Sequence, residues 1–312
     1  MLEHRNVDGL TEKEFLAQYR PADYERPSVT VDMLLFTVDD KEIKNIRSDK
    51  EKELKILLIK RKNHPYIHKW ALPGGFVDIN ENVTDAAYRE LKEETNIDGV
   101  YMEQLFTFGD VDRDPRMRVI STSHMALIPK DSVKPVAGDD AEEVAWFTVD
   151  KKCISETENE RTSRLYLHNE ILGQCSFYTI KETVEINGKI PIIKSEVIVD
   201  SEEHNVIAFD HIKQINMALD RLRNKVEYTP IAFNLLSEEF SMSDVQDIYE
   251  ILLGRELVKQ NFRVKIAKYI EESDKKQDKV GHRPAKLYKL KKLNINSVGS
   301  EVSNMVQMVN LF

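Results

Sequence analysis

The stretch GFVDINENVTDAAYRELKEETNI, Gly75 to Ile97, sets Glu81 six residues after Gly75 and then gathers Arg89, Glu90, Glu93 and Glu94 into one short helical segment. Positions three and four apart share a helix face, so Glu90, Glu93 and Glu94 point the same way. Carboxylates that close repel one another unless a divalent cation neutralises them. Hard oxygen ligands in this arrangement suit Mg²⁺ or Mn²⁺, with waters and substrate phosphates completing the shell. A solvated acidic helix face is the ordinary alternative in a chain that is 32% charged.

The spacing resembles the Nudix box: a glycine, five residues, a glutamate, seven residues, then R-E-U-x-E-E-x-G-U, where U is aliphatic. Gly75, Glu81, Arg89, Glu90, Leu91, Glu93, Glu94 and Ile97 match it position for position. Asn96 departs, standing where the family has glycine. That glycine ends the helix in a left-handed conformation, and asparagine is the next residue to tolerate it. No metal ligand is lost. Upstream, Trp70-Ala-Leu-Pro-Gly74-Gly75 is similar to the loop that enters the box. The resemblance implies an α/β Nudix sandwich, a mixed sheet between helices.

At 312 residues the chain is long enough for two domains. A net charge of −9 excludes a wholly basic nucleic-acid coat protein, but the charge is uneven. Ile251 to Leu293 holds thirteen Lys/Arg against five Asp/Glu, a cue for an appended module with a polyanionic partner. The two cysteines, Cys153 and Cys175, make neither a disulfide framework nor a zinc site. No secretory signal opens the chain and no apolar run reaches bilayer length, so a cytoplasmic protein without membrane partners is expected.

Residues 1–27 read as a polar arm and 28–226 as the Nudix domain. Strands are expected at Val29–Val38, Leu54–Lys60, Tyr101–Phe108, Arg118–Ile128 and Glu143–Thr148. Residues 151–203 read as an insertion, with a hairpin turning at Asn187-Gly188. Asp210 is expected to cap a helix whose Ile212, Ile215, Leu219, Leu222 and Val226 form one stripe, buried on the core or at a dimer contact. From 227 to 293, Ser243 and Gln246 suggest a capping box opening one helix, and Asn261–Glu271 a second. Lys275–Lys289 reads as a basic hairpin with Gly281-His-Arg-Pro at its tip. Two helices about a turn, then a basic hairpin, is the layout of a winged helix-turn-helix. Gln260, Asn261, Arg263 and Lys265 would then approach base edges, and Lys279, Arg283 and Lys286 phosphates. Residues 294–312 form a polar, then Met/Val-rich tail.

A Nudix domain followed by a winged helix resembles the Nudix-related transcriptional regulators and the ADP-ribose-type Nudix enzymes. The likeness extends to Tyr24-Glu-Arg-Pro, Glu103-Gln-Leu-Phe-Thr-Phe-Gly-Asp-Val-Asp-Arg-Asp-Pro-Arg, Ala208-Phe-Asp-His and Tyr228-Thr-Pro. It implies a homodimer that senses ADP-ribose or a related nucleotide sugar and holds a palindromic DNA operator, with NAD metabolism the family's best-known target. Every box carboxylate is kept, so Mg²⁺-dependent (or Mn²⁺-dependent) cleavage of a diphosphate to AMP and a sugar phosphate is expected. Glu90, Glu93 and Glu94 would hold the metal. Arg89 would orient a carboxylate, and Glu81 would hold that arginine or add an outer ligand. Glu142 is the general-base candidate, with Asp140 and Glu143 beside it on the loop before the last strand. Gly74 and Gly75, with Arg61, Arg113, Arg116 and Arg118, are the substrate-binding candidates, arginine being suited to bidentate phosphate contact. A structural tie to Asp112 or Asp114 is the alternative for the arginines. A catalytically silent sensor, or a pyrophosphatase whose C-terminal module binds no DNA, stands as the competing reading.

Overall fold

The computed structural model of the protein describes residues 4–41, 52–130, 141–201, 205–276 and 286–291. Its centre is strand β1 (Ser28–Asp40), whose interior is a near-continuous buried run. Such a run marks a strand covered on both faces. Val31, Met33 and Leu35 face one helix, α2 (Val83–Thr95), through Ala86, Ala87 and Leu91. Leu34, Phe36 and Val38 face the other way, into a cluster with Ile215, Leu219 and Leu222 of α3 (His211–Tyr228). The mixed sheet between helices is thus built from the alternation of one strand.

Strand β2 (Lys52–Arg61) runs antiparallel to β1, with Phe36 opposite Ile56. The short β3 (Trp70–Ala71) joins β2, and β4 (Gly74–Phe76) lies against β1 with Val31 opposite Gly75. β5 (Met102–Phe108) pairs with β6 (Val119–Leu127), and β6 runs parallel to β1. β7 (Ala141–Glu156) pairs with β2 and continues well past Thr148. β8 (Glu160–Asn169), β9 (Gln174–Asn187) and β10 (Ile190–Ile198) then extend the same sheet as a meander. Within residues 151–203, expected as an insertion, the chain adds strands to the main sheet, and β9 and β10 turn about Asn187-Gly188. Their inner positions alternate strictly, but several are polar: Lys151, Ser163, Ser176 and Glu182 are buried among Leu165, Leu167, Tyr178 and Ile180. That polarity masks the strand pattern of 151–169 in the sequence.

Other expectations shift locally. The N-terminal arm holds a helix, α1 (Glu12–Gln18), closed by a Thr11–Glu14 capping box. Asn96 ends α2 at φ 55°, the left-handed cap its sequence position demanded. Asp210 stands at the N-cap of α3 without a capping bond, because its carboxylate takes Arg113 instead. After a 3₁₀ turn (Pro230–Leu235), the chain forms β11 (Phe240–Ser241), α4 (Met242–Leu253), α5 (Lys259–Ile266), β12 (Ile270–Lys276) and β13 (Lys286–Leu290). The box capping α4 is Ser241 with Asp244, not Ser243 with Gln246. Gln246 donates to Glu250 and to the Leu257 carbonyl, closing the turn behind the helix. α5 stops at Ile266 rather than Glu271, since Ile270 pairs with Leu290 in the three-stranded β11-β13-β12 sheet. No described helix is long and apolar enough to cross a membrane. The tail after residue 291 lies outside the described residues.

Candidate active site and nucleic-acid interface

Helix α2 lies against β4, and that packing assembles the box. Gly75 sits so close to Glu90 that a Cβ there would lie 2.1 Å from the Glu90 Oε1. Only glycine leaves room for this approach. The Gly74 amide donates to Glu94 Oε2 at 2.7 Å, fixing a buried carboxylate against the loop. Arg89 forks across the site. Its Nε and Nη2 donate to the two Glu81 oxygens at 3.0 and 2.6 Å, and Nη2 also reaches the Phe76 carbonyl. Its Nη1 donates to Glu90 at 2.8 Å and Glu93 at 3.1 Å. The arginine bond and the Asp78 amide pull Glu81 down to about 2. Burial pushes the Glu90 carboxyl up, with the Glu93 and Glu81 charges adding to it against the pull of Arg89.

As arranged, no three acidic, histidine or cysteine side chains among the described residues are gathered tightly enough to hold a metal. Glu90 and Glu93 meet on Arg89, while Glu94 is turned to the Gly74 amide. The donor set still fits a hard divalent cation. It is all carboxylate oxygen on one helix turn, Glu90 is destabilised as an anion by its surroundings, and the exposed Glu93 is able to turn.

Beside this cluster opens a cavity of about 310 Å³ lined by Gly74, Gly75, Glu94, Arg61 and Arg116, with Arg113 in its wall. Arg116 is held by Asp114 through bonds of 3.0 and 2.7 Å and lies over the Phe76 and Phe209 rings. Arg61 covers Phe209 at 4.9 Å and donates to the Pro65 carbonyl. Arg113 lines the same cavity but is held from behind. Its guanidinium is buried, bidentate on Asp210 and in reach of Asp32, so it serves the wall of the cavity. Arg118 does not line the cavity, since it donates to the Gly109, Asp110 and Val119 carbonyls and braces the loop. Glu142 also lies outside it, in the start of β7 rather than on a loop. The His68 ring at 2.7 Å and Lys60 at 3.4 Å hold its carboxyl below the usual range. Asp140 lies outside the described residues.

Sequence reasoning missed the rest of the wall. Asp32, a lone carboxylate in the buried run of β1, receives Ser121 at 2.6 Å and Gln214 at 2.8 Å. His211 accepts the Leu72 amide at Nδ1 and turns Nε2 toward Asp32, and burial keeps it neutral. Phe209 adopts φ 54° and Tyr66 φ 60°, side chains held in a conformation that ordinarily favours glycine. Their rings meet edge to face at 4.7 Å. The lone Asp32 and the phrase Ala208-Phe-Asp-His were the available signals.

In the C-terminal module, α5 buries Phe262 and Ile266 and turns Gln260, Asn261 and Arg263 to solvent, while Lys265 is half-buried. Lys286, on β13, pairs with Glu272 at 2.9 Å, and Lys289 with Glu271, so cross-strand carboxylates temper the hairpin's charge. Lys279 and Arg283 lie outside the described residues.

A mixed sheet between helices, a glutamate-rich box helix against a glycine loop, and a helix-turn-helix with a paired hairpin define a Nudix protein with an appended winged helix. A NUDIX domain model matches residues 16–167, and a model for the NrtR DNA-binding winged helix domain matches 232–290. The chain is 33% identical over 288 residues to an ADPR responsive transcriptional repressor, NtrR, of Acinetobacter baylyi, covering 91% of this chain and 90% of that one. It is 35% identical over 158 residues to an ADP-ribose pyrophosphatase of Methanocaldococcus jannaschii, covering 51% of this chain and 82% of that protein. The structure of Shewanella oneidensis NrtR complexed with a 27mer DNA superposes with a TM-score of 0.57 at 27% identity, over 84% of this chain and 93% of that one. The chain belongs to the family of Nudix transcriptional regulators with an NrtR-type winged helix.

Proposed function

We propose that the chain binds ADP-ribose, or a related nucleoside-diphosphate sugar, in the cavity beside α2 and cleaves it to AMP and a sugar phosphate. We further propose that occupancy of this site governs how the winged helices of a homodimer hold a two-fold symmetric DNA operator. One observation carries the reading: the Glu90, Glu93 and Glu94 turn abuts the Gly74-Gly75 loop at a cavity that also presents Arg61 and Arg116. Glu94 of the carboxylate turn and the cationic Arg61 and Arg116 line one space, with Glu90 and Glu93 beside it, an arrangement that suits a metal-bound diphosphate. The named functions of the Acinetobacter repressor and the archaeal pyrophosphatase support the same ligand.

In hydrolysis, water oxygen bonds to one phosphorus and gives up its protons to solvent, while the bridging P–O bond breaks and the departing phosphate keeps the bond's electron pair. A bound Mg²⁺ or Mn²⁺ would neutralise the diphosphate oxygens and acidify the attacking water. Glu90, Glu93 and Glu94 would hold it. Arg89 keeps two of these carboxylates and Glu81 in one array, and Arg61 and Arg116 meet the outer phosphate oxygens. Slow cleavage, or a site that only senses, is favoured by one specific feature: Glu142, the base candidate, is ion-paired away from the cavity.

The test is AMP release from ADP-ribose with Mg²⁺, using Glu93→Gln/Glu94→Gln as control. Turnover that disappears in the control, with the thermal midpoint held, is the expected result. Saturable binding without turnover selects the sensor, and neither binding nor turnover rejects the ligand.

A further inference from the structure

β10 is the terminal strand of the large sheet, and its outer edge pairs with no described residue. An exposed edge is a template for another strand, and proteins usually blunt it with charge or proline. This edge carries Pro191, Lys194 and Glu196 but also exposed isoleucine: Ile190 is 70% exposed, Ile192 44% and Ile193 61%. The sequence from Ile192 to Ile198 is Ile-Ile-Lys-Ser-Glu-Val-Ile. Reversed about Ser195, it sets isoleucine on isoleucine, isoleucine on valine, and lysine on glutamate.

We propose that β10 pairs antiparallel with β10 of a second copy of this chain, about a two-fold axis through Ser195. The proposal rests on the homodimer reading above and names its surface. Facing residues in an antiparallel pair must share a sheet face, so only registers shifted by two positions along each strand compete. Centring on Ser195 sets Lys194 against Glu196 twice and Ile192 against Ile198 twice. On the other face it sets Ile193 against Val197. Centring one residue earlier opposes Lys194 to itself, and one residue later opposes Glu196 to itself. Opposite charges directly across a strand pair stabilise it, and like charges destabilise it. Pro191 has no N–H to donate, which ends the ladder where the complementarity ends.

The strand is prepared for this. Asn216 Nδ2 of α3 donates to Ser195 Oγ at 3.2 Å, and Val197 packs on the core, so the centre of the edge is held in place. Lys194 already pairs with Glu185 on β9, and Glu196 of the second copy would extend that pair into a ladder. The contact is isologous and closes at two copies, so it forms a dimer and not a fibre.

The experiment is sedimentation equilibrium of the full chain and of two single variants, Glu196→Lys and Lys194→Glu, alone and mixed one to one. Each variant alone places like charges across both symmetric contacts, and its self-association is expected to weaken roughly tenfold or more. The mixture restores lysine against glutamate, and heterodimers of near wild-type affinity are expected. Variants that dimerise like the wild type, or a mixture that stays as dissociated as its components, overturn this interface and leave a dimer built elsewhere. A monomeric wild-type chain overturns the dimer itself.

Discussion

Gly75 lacks a side chain because the Glu90 carboxylate occupies the space a Cβ would need. Gly75→Ala therefore pushes a metal-ligand candidate off its position while leaving the strand pairing of β4 intact. Turnover is expected to fall roughly 10²-fold, the usual scale for displacing a catalytic group by about an ångström. A kinetic assay beside a thermal melt separates this from unfolding, and an unchanged rate removes Glu90 from the site. Glu90 also sets a pH dependence. Burial raises its pKa, so the folded chain favours protonated Glu90, and that contribution to stability is lost as pH rises through the raised value. Only the carboxylate binds a cation, so Mg²⁺ affinity is expected to climb as pH rises through the raised Glu90 value. Calorimetric titration of Glu90→Gln is expected to lose most of that slope. Glu81 behaves in the opposite sense: lowered to about 2, its contribution is present above the ordinary carboxylate value and fades as pH falls toward 2. The box residues were legible in the sequence because helix periodicity fixes their mutual geometry. The cavity wall was not, since Asp32, Arg113, Asp210 and His211 meet from separate parts of the chain.

Among the elements, those whose pattern is local were readable, and those completed by distant partners were not. The central strand β1 and the helix α2 announce themselves through runs and periodicity. β8 does not, because the polar Ser163 stands in its inner row beside Lys151 of β7, whereas β9 and β10 carry the Asn187-Gly188 turn between them. Periodicity alone overextends α5, because nothing near Ile270 in sequence shows that Leu290 will pair with it. The shorter α5 still presents Asn261 and Arg263 on its exposed face. Substituting both by alanine is expected to weaken DNA binding by about 1–3 kcal/mol for each base edge that is no longer read. AMP release should stay at the wild-type rate. An anisotropy titration beside the kinetic assay checks both, and a joint fall in binding and turnover would show that α5 acts through the fold.

The two modules share one core. A single buried cluster runs from Phe36, Ile56 and Phe147 of the large sheet, through Leu219 and Leu222 of α3, to Ile248, Leu252 and Phe262 of the winged helix. Helix α3 begins in the wall of the cavity with His211, and its Gln214 donates to Asp32 of that wall. It ends beside α4, where Glu227 pairs with Arg255 at 3.6 Å. A ligand that binds one placement of this helix better than another shifts the winged helices with it, because differential affinity is what moves such an equilibrium. The most direct measurement is the affinity of the full chain for a duplex it has itself selected from a random pool, at fixed salt, with and without saturating ADP-ribose. A change of roughly 5-fold or more, in either direction, is expected, and it should vanish when Arg61 and Arg116 are replaced by alanine. Identical affinities, with ADP-ribose demonstrably bound, would mean that the cavity and the winged helices are not coupled.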